Sequence, residues 1–208
     1  MDNNRKAKKV GIMGGTFDPV HFGHLVTAEF VREEFKLDKV VFVPSGKPPH
    51  KEEKNISLAK HRYLMTILAT TTNPFLEVND TEIMRPGYSY TVDTIAQFQM
   101  EYGKETDLYF ITGADAMLEI LFWRNFEKLI SMCIFVAATR PGFDLAPLDK
   151  QLEVFPPSTK GKFLKFEVPA LSISSTGIRK RVVQGKTIKY LLPEAVEQYI
   201  YKNNLYRE

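Results

Sequence analysis

A chain of 208 residues, 44% hydrophobic and 12% aromatic, is long enough to fill one core without staples, and its net charge of +3 suits anionic small molecules but falls short of a nucleic-acid-binding face. One cysteine, Cys133, excludes an intramolecular disulfide and points to a reducing setting. No apolar stretch reaches the ~20 residues of a membrane span, and Met1–Lys9 is basic without the apolar core of a signal peptide, so the expected location is cytoplasmic.

Lys9–Met13 is a short apolar run suited to a buried strand, and Gly14-Gly15 after it lets the backbone turn tightly and approach a ligand. Gly23-His24 opens an amphipathic run with Leu25, Ala28, Val31 and Phe35 at helical spacing. The first turn of that helix, with its N–H groups and positive dipole end, faces back over the glycines and suits a phosphate. A single histidine at a helix start is commonly a cap or a packed ring. His21 and His24 together, three apart, bring two rings to one side within about 5–6 Å at Cβ, where they can share one phosphate chain.

Val40–Val43 reads as the second strand, followed by a polar loop from Pro44 to Ser57 that gathers Lys47, His50 and Lys51 around two stiffening prolines. That loop is either a solvated surface or, at the carboxyl end of a strand in a doubly wound fold, part of a ligand site. Leu58–Thr72 predicts a helix capped by Ser57, with Leu58, His61, Met65 and Leu68 along one side and His61 structural. Phe75–Val78 is a third strand and Asn79–Tyr90 an irregular segment. Val92–Tyr102 predicts a helix capped by Ser89 or Thr91, with Ile95, Phe98 and Tyr102 inward and a stop near Gly103.

Leu108–Ile111 is a continuous apolar run, as expected of a central parallel strand, and Gly113-Ala-Asp115 follows at its carboxyl edge. Asp115 there either caps a helix or meets a ribose or a phosphate-bound metal. Beyond the amphipathic run Met117–Phe122 stands the one tryptophan, Trp123, beside Arg124. It is either a core residue or a flat platform that, with the cation, holds a heteroaromatic ring carrying an anionic group.

Met132–Ala138 is a fifth strand with Cys133 buried in it, Thr139–Gly142 a turn, and a polar excursion runs to about Lys162 before a last strand, Phe163–Val168. In Leu171–Arg179 the hydroxyls of Ser174, Ser175 and Thr176 crowd a helix start, with Arg179 three residues beyond Thr176, giving a second anion-binding helix terminus. Arg179, Lys180 and Arg181 form a solvated face from which one can turn inward. Gly185-Lys-Thr187 mimics the end of a P-loop, but the required earlier glycine would fall at Lys180. Val196, Tyr199 and Ile200 mark a closing helix. Strand-like and helix-like stretches alternate, so the expectation is one α/β domain over residues 1–208: a parallel sheet with helices on both faces and a C-terminal helical segment.

The run Gly14-Gly-Thr-Phe-Asp-Pro-Val-His-Phe-Gly-His24 resembles the signature of nucleotidyltransferases that join an adenylate or cytidylate to a phosphorylated acceptor. Its nearest confusable neighbour is the His-x-Gly-His element of class I aminoacyl-tRNA synthetases, for which this chain is short. Together with Lys47–Lys51, Arg85–Thr94, Gly113-Ala-Asp115 with Trp123, Ile173–Arg179 and the Pro193–Tyr206 tail, nearly the whole chain resembles the bacterial nicotinate-nucleotide adenylyltransferases. The resemblance implies a Rossmann-like doubly wound sheet and adenylyl transfer from ATP to nicotinate mononucleotide, giving deamido-NAD and pyrophosphate, with Mg²⁺ arriving with ATP.

It also implies that Gly14, Gly15, Thr16, Phe17, Gly113, Asp115, Ser174, Ser175 and Thr176 hold ATP, that His21, His24 and Arg179 act on its phosphates, and that Lys47, His50, Thr91, Trp123 and Arg140 hold the pyridine nucleotide. Many relatives have a second aromatic after the tryptophan; Arg124 stands there in this chain. No nucleic-acid or membrane partner is implied, and a homo-oligomer is compatible. Two other readings remain: an adenylyltransferase for the amide mononucleotide or another phosphorylated acceptor, and a nucleotide-sensing protein without turnover.

Overall fold

Strands that are apolar on both faces belong in a covered parallel sheet, and that is where they lie. In the computed structural model, which describes residues 9–49, 56–139, 146–153, 156, 159, 161–169 and 171–207, β1 (Lys9–Gly15), β2 (Lys39–Pro44), β3 (Leu76–Val78), β4 (Asp107–Gly113), β5 (Ile134–Thr139) and β6 (Phe163–Glu167) pair in the order β3-β2-β1-β4-β5-β6, every ladder parallel. The order reverses between β1 and β4, whose register pairs Met13 with Ile111. In such sheets the crevice at the carboxyl ends beside that reversal is where ligands bind.

The helices that join the strands are α1 (Phe22–Glu34), α2 (Ala59–Thr70), α3 (Thr81–Met84), α4 (Thr91–Tyr102), α5 (Ala114–Leu118), α6 (Phe126–Met132) and α7 (Ala146–Leu152), and α8 (Ser175–Val183) and α9 (Glu194–Lys202) follow β6. Strand alternation sends Val10, Ile12, Val41, Phe110 and Phe135 to one face, under α4 to α7. Met13, Val40, Phe42, Tyr109, Ile111 and Val136 go to the other, under α1, α2, α8 and α9. Gly11 belongs to the crowded second face, where a Cβ would lie 2.9–3.0 Å from Ile111, Leu37 and Val40. No helix among the described residues is long and apolar enough to cross a membrane.

Several local expectations are corrected. The buried side of α2 is Arg62, Met65, Thr66 and Ala69, while Leu58 is 63% exposed; one buried arginine rotates the inward face by a residue. Leu58, not Ser57, is the N-cap of α2, because the Ser57 carbonyl is taken by Arg62 Nε. Tyr90, rather than Ser89 or Thr91, is the N-cap of α4, since the Ser89 hydroxyl accepts from Gly46 N–H. The segment expected to be irregular contains the short α3, and Met132, expected in a strand, ends α6. His61 is structural, with Nδ1 2.8 Å from the Tyr199 hydroxyl of α9.

Candidate active site

Gly14 and Gly15, expected in a turn, are the last two residues of β1 and pair with Val43 and Pro44; the turn after them leads through Phe17, in the left-handed region at φ 49, and a cis Asp18–Pro19 bond into α1. His21 is the N-cap residue, with extended backbone. Its N–H donates to His24 Nδ1 at 3.2 Å, and the two rings stack with centroids 3.8 Å apart. The glycine between them is needed sterically: a Cβ on Gly23 would stand 3.0 Å from the His21 ring. Phe17 supports the pair from below, edge-on to His24 at 5.1 Å. It is 3% exposed, so its side chain is a packing element beneath the site.

Because Nδ1 of His24 is an acceptor, the ring proton sits on Nε2, the atom left to donate to a ligand. Burial, and after it the charge of a protonated His21, hold the His24 imidazole well below its ordinary value of 6.5. The sign follows: an unfolded chain takes up this proton at 6.5 while the folded one resists, so His24 costs stability as pH falls below 6.5 and adds no pH dependence above it. An NMR titration of the protein without ligands should give His24 a midpoint well under 6.5; a midpoint at or above 6.5 would mean a solvated ring.

The second helix start docks onto the same turn. Ser174 caps α8 by accepting from Gly177 N–H at 3.1 Å, and Ser175 donates its hydroxyl to the Pro19 carbonyl at 2.8 Å. Arg179, one turn along α8, donates to the Asp18 carbonyl at 2.7 Å and to Thr176 Oγ1 at 3.3 Å. A cavity of about 330 Å³ opens between the two helix starts, lined by His21, His24, Thr27, Gly113, Ser174 and Ser175 among others. Two positive helix ends and a neutral imidazole donor thus face one space, which suits an anion chain.

A second cavity of about 430 Å³ lies across the β1 turn, lined by Gly15, Thr16, Thr91, Phe110, Trp123 and Arg124 among others. Trp123 packs edge-on against Phe110, with centroids 5.6 Å apart and planes at 89°, so it joins the core and still borders the cavity. Arg124 lies over the Tyr90 ring at 4.5 Å. Glu82 lines the same cavity; burial raises its carboxyl pKa, against the hydrogen bonds of Thr94 and Ser89.

Of the residues expected on the ATP side, His21, His24, Gly113, Ser174 and Ser175 share the first cavity, whereas Gly14, Gly15 and Thr16 border the second, because the β1 turn is the wall between the two. Asp115 lies exposed in the first turn of α5, outside the lining of both, and Gly113 takes the N-cap position. Thr176 is exposed and serves Arg179. On the pyridine side Thr91 and Trp123 share a cavity with Pro48 and Pro49, while Lys47 Nζ stands over the Tyr88 ring at 5.0 Å. His50 and Arg140 lie outside the described residues. The sequence singles out neither Arg62, Glu82 nor Tyr206 for the site, and Ser89 only as a helix cap; for Arg62 the usable signal was its place at helical spacing with Met65, Thr66 and Ala69.

The family model for cytidylyltransferase-like proteins matches residues 12–181. A probable nicotinate-nucleotide adenylyltransferase of Thermoanaerobacter sp. (strain X514) is 60% identical over 200 residues, covering 96% of this chain and 95% of the relative. One of Desulfitobacterium hafniense (strain Y51) is 50% identical over 207 residues and covers 100% of both chains. Among solved structures, Plasmodium falciparum nicotinic acid mononucleotide adenylyltransferase complexed with NaAD superposes with a TM-score of 0.78 at 23% identity, over 96% of this chain and 97% of that one.

Proposed function

The chain belongs to the nicotinate-nucleotide adenylyltransferases of the cytidylyltransferase-like family, and from that membership we propose where on this molecule the transfer of adenylate from ATP to nicotinate mononucleotide takes place. The whole chain acts as one nucleotidyltransferase domain. ATP occupies the cavity between the starts of α1 and α8, and the mononucleotide the cavity bordered by Trp123. The observation that carries this reading is the stacked His21–His24 pair facing the Ser174-capped start of α8 across one cavity.

The acceptor phosphate is already a nucleophile at neutral pH, so the protein's task is positioning and charge stabilisation. A phosphate oxygen of the mononucleotide attacks the α-phosphorus of ATP, a new P–O bond forms, and the bond to the bridging oxygen breaks with pyrophosphate as leaving group. His24 Nε2–H, the Arg179 guanidinium and the N–H groups opening α8 donate to the oxygens on which charge gathers. Nucleotidyltransferases of this kind work with a divalent cation, here Mg²⁺ brought by the ATP phosphates. Among the described residues no cluster of three His, Cys, Asp or Glu is placed to hold a metal ion.

Acid is told from amide by donors. Arg124 and the N–H groups opening α4 border the pyridine cavity, while Glu82 is turned onto Thr94 at 2.6 Å. A carboxylate satisfies such donors, whereas an amide leaves its NH₂ facing one, a loss of about 1–3 kcal/mol, or ~10–100-fold. Pyrophosphate release from ATP is the test: it should be fastest with nicotinate mononucleotide and slower by that factor with the amide. Equal or faster release with the amide overturns the acid preference, and silence with every acceptor leaves a nucleotide-binding protein without turnover.

Trp123→Ala should raise the KM for nicotinate mononucleotide far more than the KM for ATP, because Trp123 borders only the second of the two cavities named above. Equal weakening of both substrates with a lowered Tm would make Trp123 a core residue alone.

A further inference from the structure

The turn at Asp18 is held by groups from distant parts of the chain. Tyr206, beyond the end of α9, brings its hydroxyl to Asp18 Oδ1 at 2.6 Å. Ser57 N–H donates to Oδ2 of the same carboxylate at 3.1 Å, and the Asp18 carbonyl accepts from Arg179 at 2.7 Å. On the other side of the turn Arg62, 1% exposed, spends its fork of donors on three main-chain carbonyls: Thr16 at 2.8 Å, Ser57 at 2.9 Å and Gly46 at 3.1 Å. One guanidinium therefore ties the β1 turn to both ends of the segment 46–57.

Two features set this cluster apart from ordinary packing. The tail reaches Asp18 through left-handed backbone at Asn204 and Tyr206, φ 51 and 62, which side-chain-bearing residues adopt at a cost and keep only where the surroundings impose it. A rigid planar fork buried among carbonyls of separate segments also fixes their mutual geometry, as a flexible ammonium would not. What these contacts hold still is the carbonyl on which Arg179 rests.

We infer that Tyr206 and Arg62 are positioning residues for adenylyl transfer: through Asp18 and Thr16 they fix the turn from which Arg179 is aimed at the ATP phosphates. The inference rests on the reading of Arg179 as a phosphate ligand. Tyr206 and Arg62 spend their polar atoms on protein groups of the turn, so each acts through another group.

The test is a double-mutant cycle on the full chain with Tyr206→Phe, which keeps the ring and removes the hydroxyl, and Arg179→Ala. It is read in kcat with ATP and nicotinate mononucleotide, and again in the calorimetric affinity for a non-hydrolysable ATP analogue. Tyr206→Phe should lower kcat about tenfold, the scale of one hydrogen bond to a charged group, and leave the KM for nicotinate mononucleotide within about twofold. In the Arg179→Ala background it should cost almost nothing more, because what it misplaces is already gone. Losses that multiply would make Tyr206 a stabilising residue only and overturn the proposal.

Should Tyr206→Phe not fold, as judged by circular dichroism, Arg62→Lys runs the same cycle, with the charge kept and the fork lost. A wild-type chain inactive with nicotinate mononucleotide, yet coupled in analogue affinity, would fault the acceptor and support this proposal. An active wild type with multiplying losses would fault this proposal alone.

Discussion

His24→Ala should lower turnover about 10²–10⁴-fold while the protein stays folded, the range for a group that acts mainly in the transition state. The expectation comes from geometry more than from residue type. Nδ1 is committed to the His21 N–H, so the ring has one orientation and one outward donor, Nε2–H. Burial keeps the ring neutral, so it supplies a directed hydrogen bond and not a roaming charge. The fold tolerates the change because the α1 start keeps its main-chain bonds, His24 N–H to the His21 carbonyl at 2.9 Å among them. Losing the side-chain cap costs about 0.5–2 kcal/mol, too little to unfold a domain of ordinary stability. Rapid-quench measurement of deamido-NAD formation on saturated enzyme reads the transfer step directly, and a folded variant at near-normal rate would remove His24 from the mechanism. Arg179→Ala should fall in the same range, with more of its loss in ATP affinity.

Gly46→Ala should be the most damaging glycine-to-alanine change among the described residues, lowering Tm by several degrees and weakening nicotinate mononucleotide more than ATP. A Cβ there would stand 2.2 Å from the Glu82 carbonyl oxygen and 3.2 Å from Ile83 Cα, both main-chain atoms of α3, with no flexible side-chain tip to give way. Either the end of β2 or α3 must shift. Overpacking of this kind costs about 1–3 kcal/mol and sometimes more, and in a domain of this size each kcal/mol moves Tm by roughly 2–4 °C. Gly46 N–H also donates to Ser89 Oγ at 2.9 Å, and its carbonyl accepts from Arg62 at 3.1 Å, so any shift passes into the loops beside Thr91. Differential scanning calorimetry with KM values for both substrates checks it, and an unchanged Tm would show that α3 yields freely.

The sequence alone determined what depends on neighbours along the chain. Apolar runs buried on both faces gave the strands β1, β2, β4 and β5, and three crowded hydroxyls gave the start of α8, among which the structure makes Ser174 the cap. His21 and His24 meet because three residues at a helix start put two rings on one side, and the compact motif carries that geometry in its spacing. The tertiary structure decided the rest. Phe17, at left-handed backbone in the motif, packs its ring beneath His24. Trp123 left two readings open, and the fold gives it both a core neighbour and a cavity edge. The partners of Arg62 and Tyr206 stayed invisible for a physical reason: Arg62, whose inward place helical spacing could have shown, binds main-chain carbonyls, which every residue type carries alike, and Tyr206 meets a carboxylate 188 residues away, a distance across which no periodicity or local spacing reports.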